Sequence, residues 1–211
     1  MSRQYRNIDE LLDAHRKKKE AILGRLAQFR AIPPESYFYE LVYCFMTPQS
    51  SAVNSLKAQH ALASHDFENR DIDPEPLLHQ SDYYIRFHKT KARLLVEMKR
   101  NYEEILRQVT GGNSAEEKRE WLVKNVKGLG YKEATHFLRN IGRNDGLAIL
   151  DRHILRNLKR HGVIRSLPAS LTKKRYLRIE KKFREFAAAI GVPVDELDLV
   201  FWSKEAGEIL K

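Results

Sequence analysis

VKNVKGLGYKEATHFLRNIGRNDGLAILD, residues 123–151, decides the fold of this 211-residue chain. Leu122, Val123 and Val126 recur at three- and four-residue spacing and close a helix, which the Gly128-Leu129-Gly130 turn stops. Glycine at both ends of that turn allows positive φ and leaves backbone N–H groups open to a phosphate. A second helix starts near Tyr131 and turns Ala134, Phe137, Leu138 and Ile141 inward, an i, i+3, i+4, i+7 face, before Gly142 ends it. Two helices about a Gly-x-Gly turn form a helix-hairpin-helix. The turn's donors and the positive end of the second helix bind phosphate without reading bases.

Two chemical groups sit on that scaffold. Lys132 falls in the first turn of the second helix, on a side read as polar with His136, Arg139 and Asn140. The positive end of a helix disfavours an ammonium ion, and a neutral amine is a nucleophile. Asp151 follows the apolar run Leu147–Leu150, nineteen residues after Lys132, at the expected N-cap of DRHILRNLKRHG. Singly, such a lysine is usually solvated and such an aspartate usually a cap. Together, at this separation after a Gly-x-Gly turn, they form a pattern. It resembles the helix-hairpin-helix DNA glycosylase superfamily, and the resemblance implies Lys132 as nucleophile and Asp151 as its electrostatic partner.

Composition is compatible with that likeness. Lysine and arginine outnumber acids 38 to 28, a formal net charge of +10, which favours a polyanionic partner. No run of 18 apolar residues exists and the N-terminus has no signal-peptide core, so a cytoplasmic protein without a membrane segment is expected. Cys44 is the single cysteine, which excludes internal disulfides and the four-cysteine iron-sulfur loop of several superfamily members. No metal site is expected. The eight histidines show no HExxH pattern and read as surface or DNA-facing residues.

Nearly everything else reads as helix: 7–31, 35–46, 52–64, 89–109, 114–125, 131–141, 151–161, 172–190 and 194–207, with an extended connection at 71–76. An all-α protein follows. The resemblance implies two helical subdomains with a DNA-binding cleft between them. One would span 31–142, with the helix-hairpin-helix at about 115–142. The other would combine 1–30 with 143–211.

Further segments carry candidate DNA contacts. Thr47-Pro48-Gln49-Ser50-Ser51 breaks a buried helix at a proline, and the resemblance implies that Gln49 enters the space left by an extruded nucleotide. Tyr83–Lys91, YYIRFHKTK, interleaves aromatics with positive charge, and Arg86 and Phe87 are the candidates for the opposite strand. Lys127, Gly128 and Gly130 are the phosphate contacts expected of the hairpin.

The TPQSS, RFHKTKA, GLGYKEA and LDRHI segments and a chain ending in lysine narrow the likeness to the type-2 branch of 8-oxoguanine DNA glycosylase/AP lyases. That branch implies a monomer acting on double-stranded DNA that contains 8-oxoguanine. The base would be flipped into an aromatic pocket with Trp202 as one wall and Lys211 in lesion recognition. Lys132 would form a Schiff base, and β-elimination would cut the strand. No cofactor is required, and a monovalent cation on the hairpin carbonyls is compatible with this chemistry. Two alternatives stand: a glycosylase of the same fold acting on another damaged base, and a non-catalytic helix-hairpin-helix DNA-binding protein.

Overall fold

The computed structural model describes residues 5–206. Lys211 therefore lies outside the described residues. The chain is all-α: ten helices and two short 3-10 turns are described, and among the described residues the sole β pairing is the bridge between His79 and Tyr84. The chain divides into two compact units, Ala31–Asn144 and Met1–Arg30 with Asp145–Lys211.

The continuous unit is built around α2 (Tyr37–Met46), nine of whose ten residues are buried. An apolar helix of this kind needs partners on every side. It packs against α3 (Ala52–Ser64), α4 (His88–Arg100) and α7 (Tyr131–Asn140). Ser51 caps α3, its Oγ accepting from Asn54 N at 3.1 Å. Ser114 and Glu117 form a capping box on α6 (Ala115–Asn125), with N–H···O distances of 3.2 and 2.8 Å.

Two expectations are corrected here. The helix read over 89–109 is two helices, α4 and α5 (Tyr102–Thr110), parted at Asn101. The Asn101 side chain donates to Glu97 O at 3.2 Å, its own i−4 carbonyl, and its backbone leaves helical geometry at φ −106°, ψ 10°. The connection read as extended at 71–76 runs into a 3-10 turn at Glu75–Leu78, opened by Asp73 Oδ1 accepting from Glu75 N at 2.9 Å.

In the second unit, α1 (Ile8–Arg30) packs on α10 (Val194–Ala206), and α10 also meets α8 (Arg152–Arg160) and α9 (Lys173–Ile190). His15 Nε2 meets Glu196 Oε2 at 2.5 Å in the core of this unit, and Lys18 Nζ donates to Ser203 Oγ at 2.9 Å. His161 is fully buried, stacked between the rings of Phe186 and Phe201. With His15 and His136 also buried, the reading of all eight histidines as surface or DNA-facing residues does not hold. Imidazole is flat and half apolar, so it packs among aromatic rings as well as it faces water.

Candidate active site

The hairpin uses its two glycines for different reasons. Gly128 has φ +93°, and a Cβ there would stand 2.8 Å from Leu94 Cδ1 and 3.1 Å from Phe45 Cε1. The turn is thus seated directly on α4 and α2. Gly130 has φ −92° and ψ −179°, ordinary extended backbone at the N-cap of α7, so the expected positive φ holds only at the first glycine. A Cβ on Gly130 would instead meet the Glu133 carboxylate at 2.9 Å. That carboxylate accepts from Gly130 N at 3.2 Å, so this donor, expected open to phosphate, is occupied by a side chain of its own helix. Lys127 is two-thirds exposed, with Nζ 3.6 Å from Glu97 Oε2.

Lys132 emerges from the first turn of α7 with its side chain 23 % exposed. Its Nζ donates to Thr47 Oγ1 at 3.3 Å and lies 3.6 Å from Glu133 Oε1. The Thr47 hydroxyl in turn donates to Cys44 O at 3.0 Å. Lys91 reaches the same turn, 6 % exposed, donating to Met46 O and Pro48 O at 2.8 Å each. Burial pushes its ammonium down from the ordinary 10.5 to about 8; the Lys132 charge acts the same way and Glu133 opposes. The remainder of α7 is not the solvated polar face expected: His136, Arg139 and Asn140 are buried. Helix α2 supplies polar partners on that side, Glu40 Oε2 accepting from Asn140 Nδ2 at 3.1 Å and the Tyr43 ring meeting the His136 edge at 5.7 Å.

Gln49 is exposed and holds φ +57°, a left-handed conformation uncommon outside glycine and asparagine. Ser50 ties it to the next candidates, for its Oγ accepts from Arg86 N at 3.1 Å, and Asn54 Nδ2 donates to Tyr84 O at 3.2 Å. The Arg86 guanidinium lies over the Phe87 ring at 5.1 Å, and Phe87 is half exposed at φ +61°. Gln49, Arg86 and Phe87 therefore share one neighbourhood of the continuous unit.

In the other unit the buried run Leu147–Leu150 is held by α9: Tyr176 OH donates to Ala148 O at 2.6 Å and Glu180 Oε1 accepts from Ala148 N at 2.9 Å. This delivers Asp151 to the N-cap of α8, where Oδ1 accepts from Ile154 N at 2.7 Å. Its second oxygen accepts from Trp202 Nε1 at 3.0 Å. Trp202, expected as a pocket wall, is thus bonded to the candidate catalytic carboxylate, its ring 5.5 Å from that of His153.

Sequence reasoning passed over Thr47, Glu133 and Lys91. Lys91 was detectable: it shares an i, i+4, i+7 face with Leu95 and Met98, a lysine on the apolar side of its helix. Among the described residues no group of three or more His, Cys, Asp and Glu side chains is placed to hold a metal ion. No described helix is long and apolar enough to cross a membrane.

Comparison with known proteins sets this geometry beside relatives. Residues 22–192 match a family model described as 8-oxoguanine DNA glycosylase. The chain is 39 % identical to an 8-oxoguanine DNA glycosylase/AP lyase of Fusobacterium nucleatum, over 97 % of each chain. It is 38 % identical to one of Korarchaeum cryptofilum, over 97 % of this chain and 99 % of that one. Its structure resembles the crystal structure of the Thermotoga maritima 8-oxoguanine DNA glycosylase with a TM-score of 0.84 and 32 % identity, covering 97 % and 98 % of the two chains. The Methanocaldococcus jannaschii 8-oxoguanine glycosylase/lyase in complex with a 15mer DNA containing 8-oxoguanine gives a TM-score of 0.82 at 31 % identity, covering 96 % and 100 %.

Proposed function

Because the chain belongs to the 8-oxoguanine DNA glycosylase family, we propose that it excises 8-oxoguanine from duplex DNA with Lys132 as nucleophile and then cleaves the strand. The two activities are those of a DNA glycosylase and an AP lyase. The observation that carries the residue assignment is the setting of Lys132: a half-buried amine in the first helical turn after the hairpin, directed by a threonine hydroxyl and a carboxylate.

The damaged nucleotide leaves the stack at a cost of a few kcal/mol, and Gln49 fills the gap while Arg86 and Phe87 meet the opposite strand. Lys127 and the hairpin at Gly128 grip phosphates, while the Gly130 N–H is held by Glu133. The Lys132 nitrogen bonds to the anomeric carbon as the glycosidic C–N bond breaks, and the base departs with the electron pair and takes up the proton that the amine loses. Positive charge develops on the sugar, and the carboxylate of Asp151 stabilises it. Ring opening yields a Schiff base that acidifies the adjacent carbon. Loss of that proton expels the 3′ phosphate by β-elimination. Water hydrolyses the Schiff base to release the enzyme, and no diffusible cofactor enters this scheme.

Borohydride reduction of the Schiff base tests this assignment. Wild type should be trapped on 8-oxoguanine duplex and not on undamaged duplex or thymine glycol, while Lys132→Gln binds lesion DNA without forming an adduct. Wild-type trapping by Lys132→Gln would move the role to Lys124 or Lys127. Preferential trapping on thymine glycol would change the substrate.

A further inference from the structure

The end of α2 poses a problem that Lys91 solves. A helix leaves its last carbonyls without intrahelical donors, and Pro48, having no N–H, ends the helix here without adding one. Met46 O and Pro48 O both receive the same group, the Lys91 ammonium, at 2.8 Å each. A cation there complements the negative end of the α2 dipole. Yet placing an ammonium at 6 % exposure is costly, and a shorter polar cap reaching solvent would serve a helix end as well.

What the arrangement adds is rigidity of a particular turn. Thr47, whose hydroxyl receives Lys132, lies between the two clamped carbonyls, and Gln49 follows immediately in its left-handed conformation. A non-glycine residue stays in that region only where its surroundings hold it. We propose that Lys91 is a positioning residue: by clamping the carbonyls on either side of Thr47 it fixes the turn from which Gln49 is presented to the DNA. The proposal rests on the reading of Gln49 as the residue that fills the gap in the duplex. Burial brings the Lys91 ammonium down to about 8, so at neutral pH it remains charged and keeps its grip on both carbonyls.

The test is a double-mutant cycle on the full-length protein with Lys91→Met, Gln49→Ala and the pair, reading single-turnover excision of 8-oxoguanine and, separately, cleavage at a preformed abasic site. Each single variant should slow excision roughly tenfold to a hundredfold, the cost of a misplaced group, while the pair is no slower than the worse single variant. In Lys91→Met, cleavage at the abasic site should fall several-fold less than excision does, since Lys132 is carried by α7 itself. If Lys91→Met does not fold, the same cycle is read in Lys91→Gln, whose amide keeps two donors. Losses that multiply in the double variant would overturn the proposal, because two independent roles are additive. Equal losses on both substrates would overturn it too, by placing Lys91 behind the nucleophile instead of behind Gln49. A neutral Gln49→Ala would remove the reading of Gln49 and the proposal with it.

Discussion

The indole N–H of Trp202 and the carboxylate of Asp151 are joined by a 3.0 Å hydrogen bond across 51 residues of sequence, so both oxygens of Asp151 are engaged, one by its own helix and one by α10. A carboxylate can accept from both donors at once. An amide cannot. Asp151→Asn keeps the cap on Ile154 N but turns an NH2 toward the indole N–H. A stability loss of about 1 kcal/mol is expected, with turnover falling by roughly two orders of magnitude. Trp202→Phe spares the carboxylate and removes one donor, worth about 1 kcal/mol, or roughly fivefold in rate. Single-turnover kinetics beside thermal melts check both. Nearly normal turnover in folded Asp151→Asn would reduce Asp151 to a helix cap.

The two hairpin glycines should respond differently to the same substitution. Gly128→Ala meets both a positive φ and the Leu94 side chain, and should cost about 2 kcal/mol or more and weaken binding to undamaged duplex. Gly130→Ala has a permitted backbone and displaces only the Glu133 side chain, with a cost of about 1 kcal/mol or less. Equal destabilisation in urea unfolding would contradict the hairpin geometry.

Lys91 makes stability depend on pH in a defined direction. Its amine titrates at about 8 in the fold and near 10.5 when unfolded, so between these values the unfolded chain binds more protons. Stability relative to Lys91→Met should therefore rise with pH across about 8 to 10.5, by up to ~1.4 kcal/mol per pH unit, and stay level below 8. A difference independent of pH would mean that the ammonium is as well solvated in the fold as outside it.

Binding to undamaged duplex should weaken steeply with salt, because each phosphate neutralised releases counterions. Lys127→Ala should lower the slope of log K against log salt by about one. An unchanged slope would take Lys127 off the phosphate path.

How much of this was readable in advance depended on what each feature rests on. The hairpin, the place of Lys132 in the first turn of α7 and that of Asp151 at the N-cap of α8 were legible because glycine punctuation and 3.6-residue periodicity are local properties of the chain. The break at Asn101 was not, for it comes from one side chain competing for a carbonyl in an otherwise continuous amphipathic pattern. The buried face of α7 was misread because polar residues were equated with solvent, whereas Glu40 of α2 waited opposite Asn140, 100 residues away. The bond between Trp202 and Asp151 belongs to the same class: each residue was picked out, but their pairing exists only once α8 and α10 are packed.

The joining of α1 to α10 also sets an order of events during synthesis. His15 and Glu196 are 181 residues apart, so α1 leaves the ribosome long before its partner α10 is made. At ~5–20 residues per second, α1 would stand alone for roughly ten to thirty-five seconds. Leu11, Ile22, Leu26 and Phe29, all buried in the finished unit, face solvent through that interval. Residues 31–144 meanwhile have every contact partner of their own unit in hand and can fold first. The nascent chain is therefore open to aggregation and proteolysis at α1 through that interval.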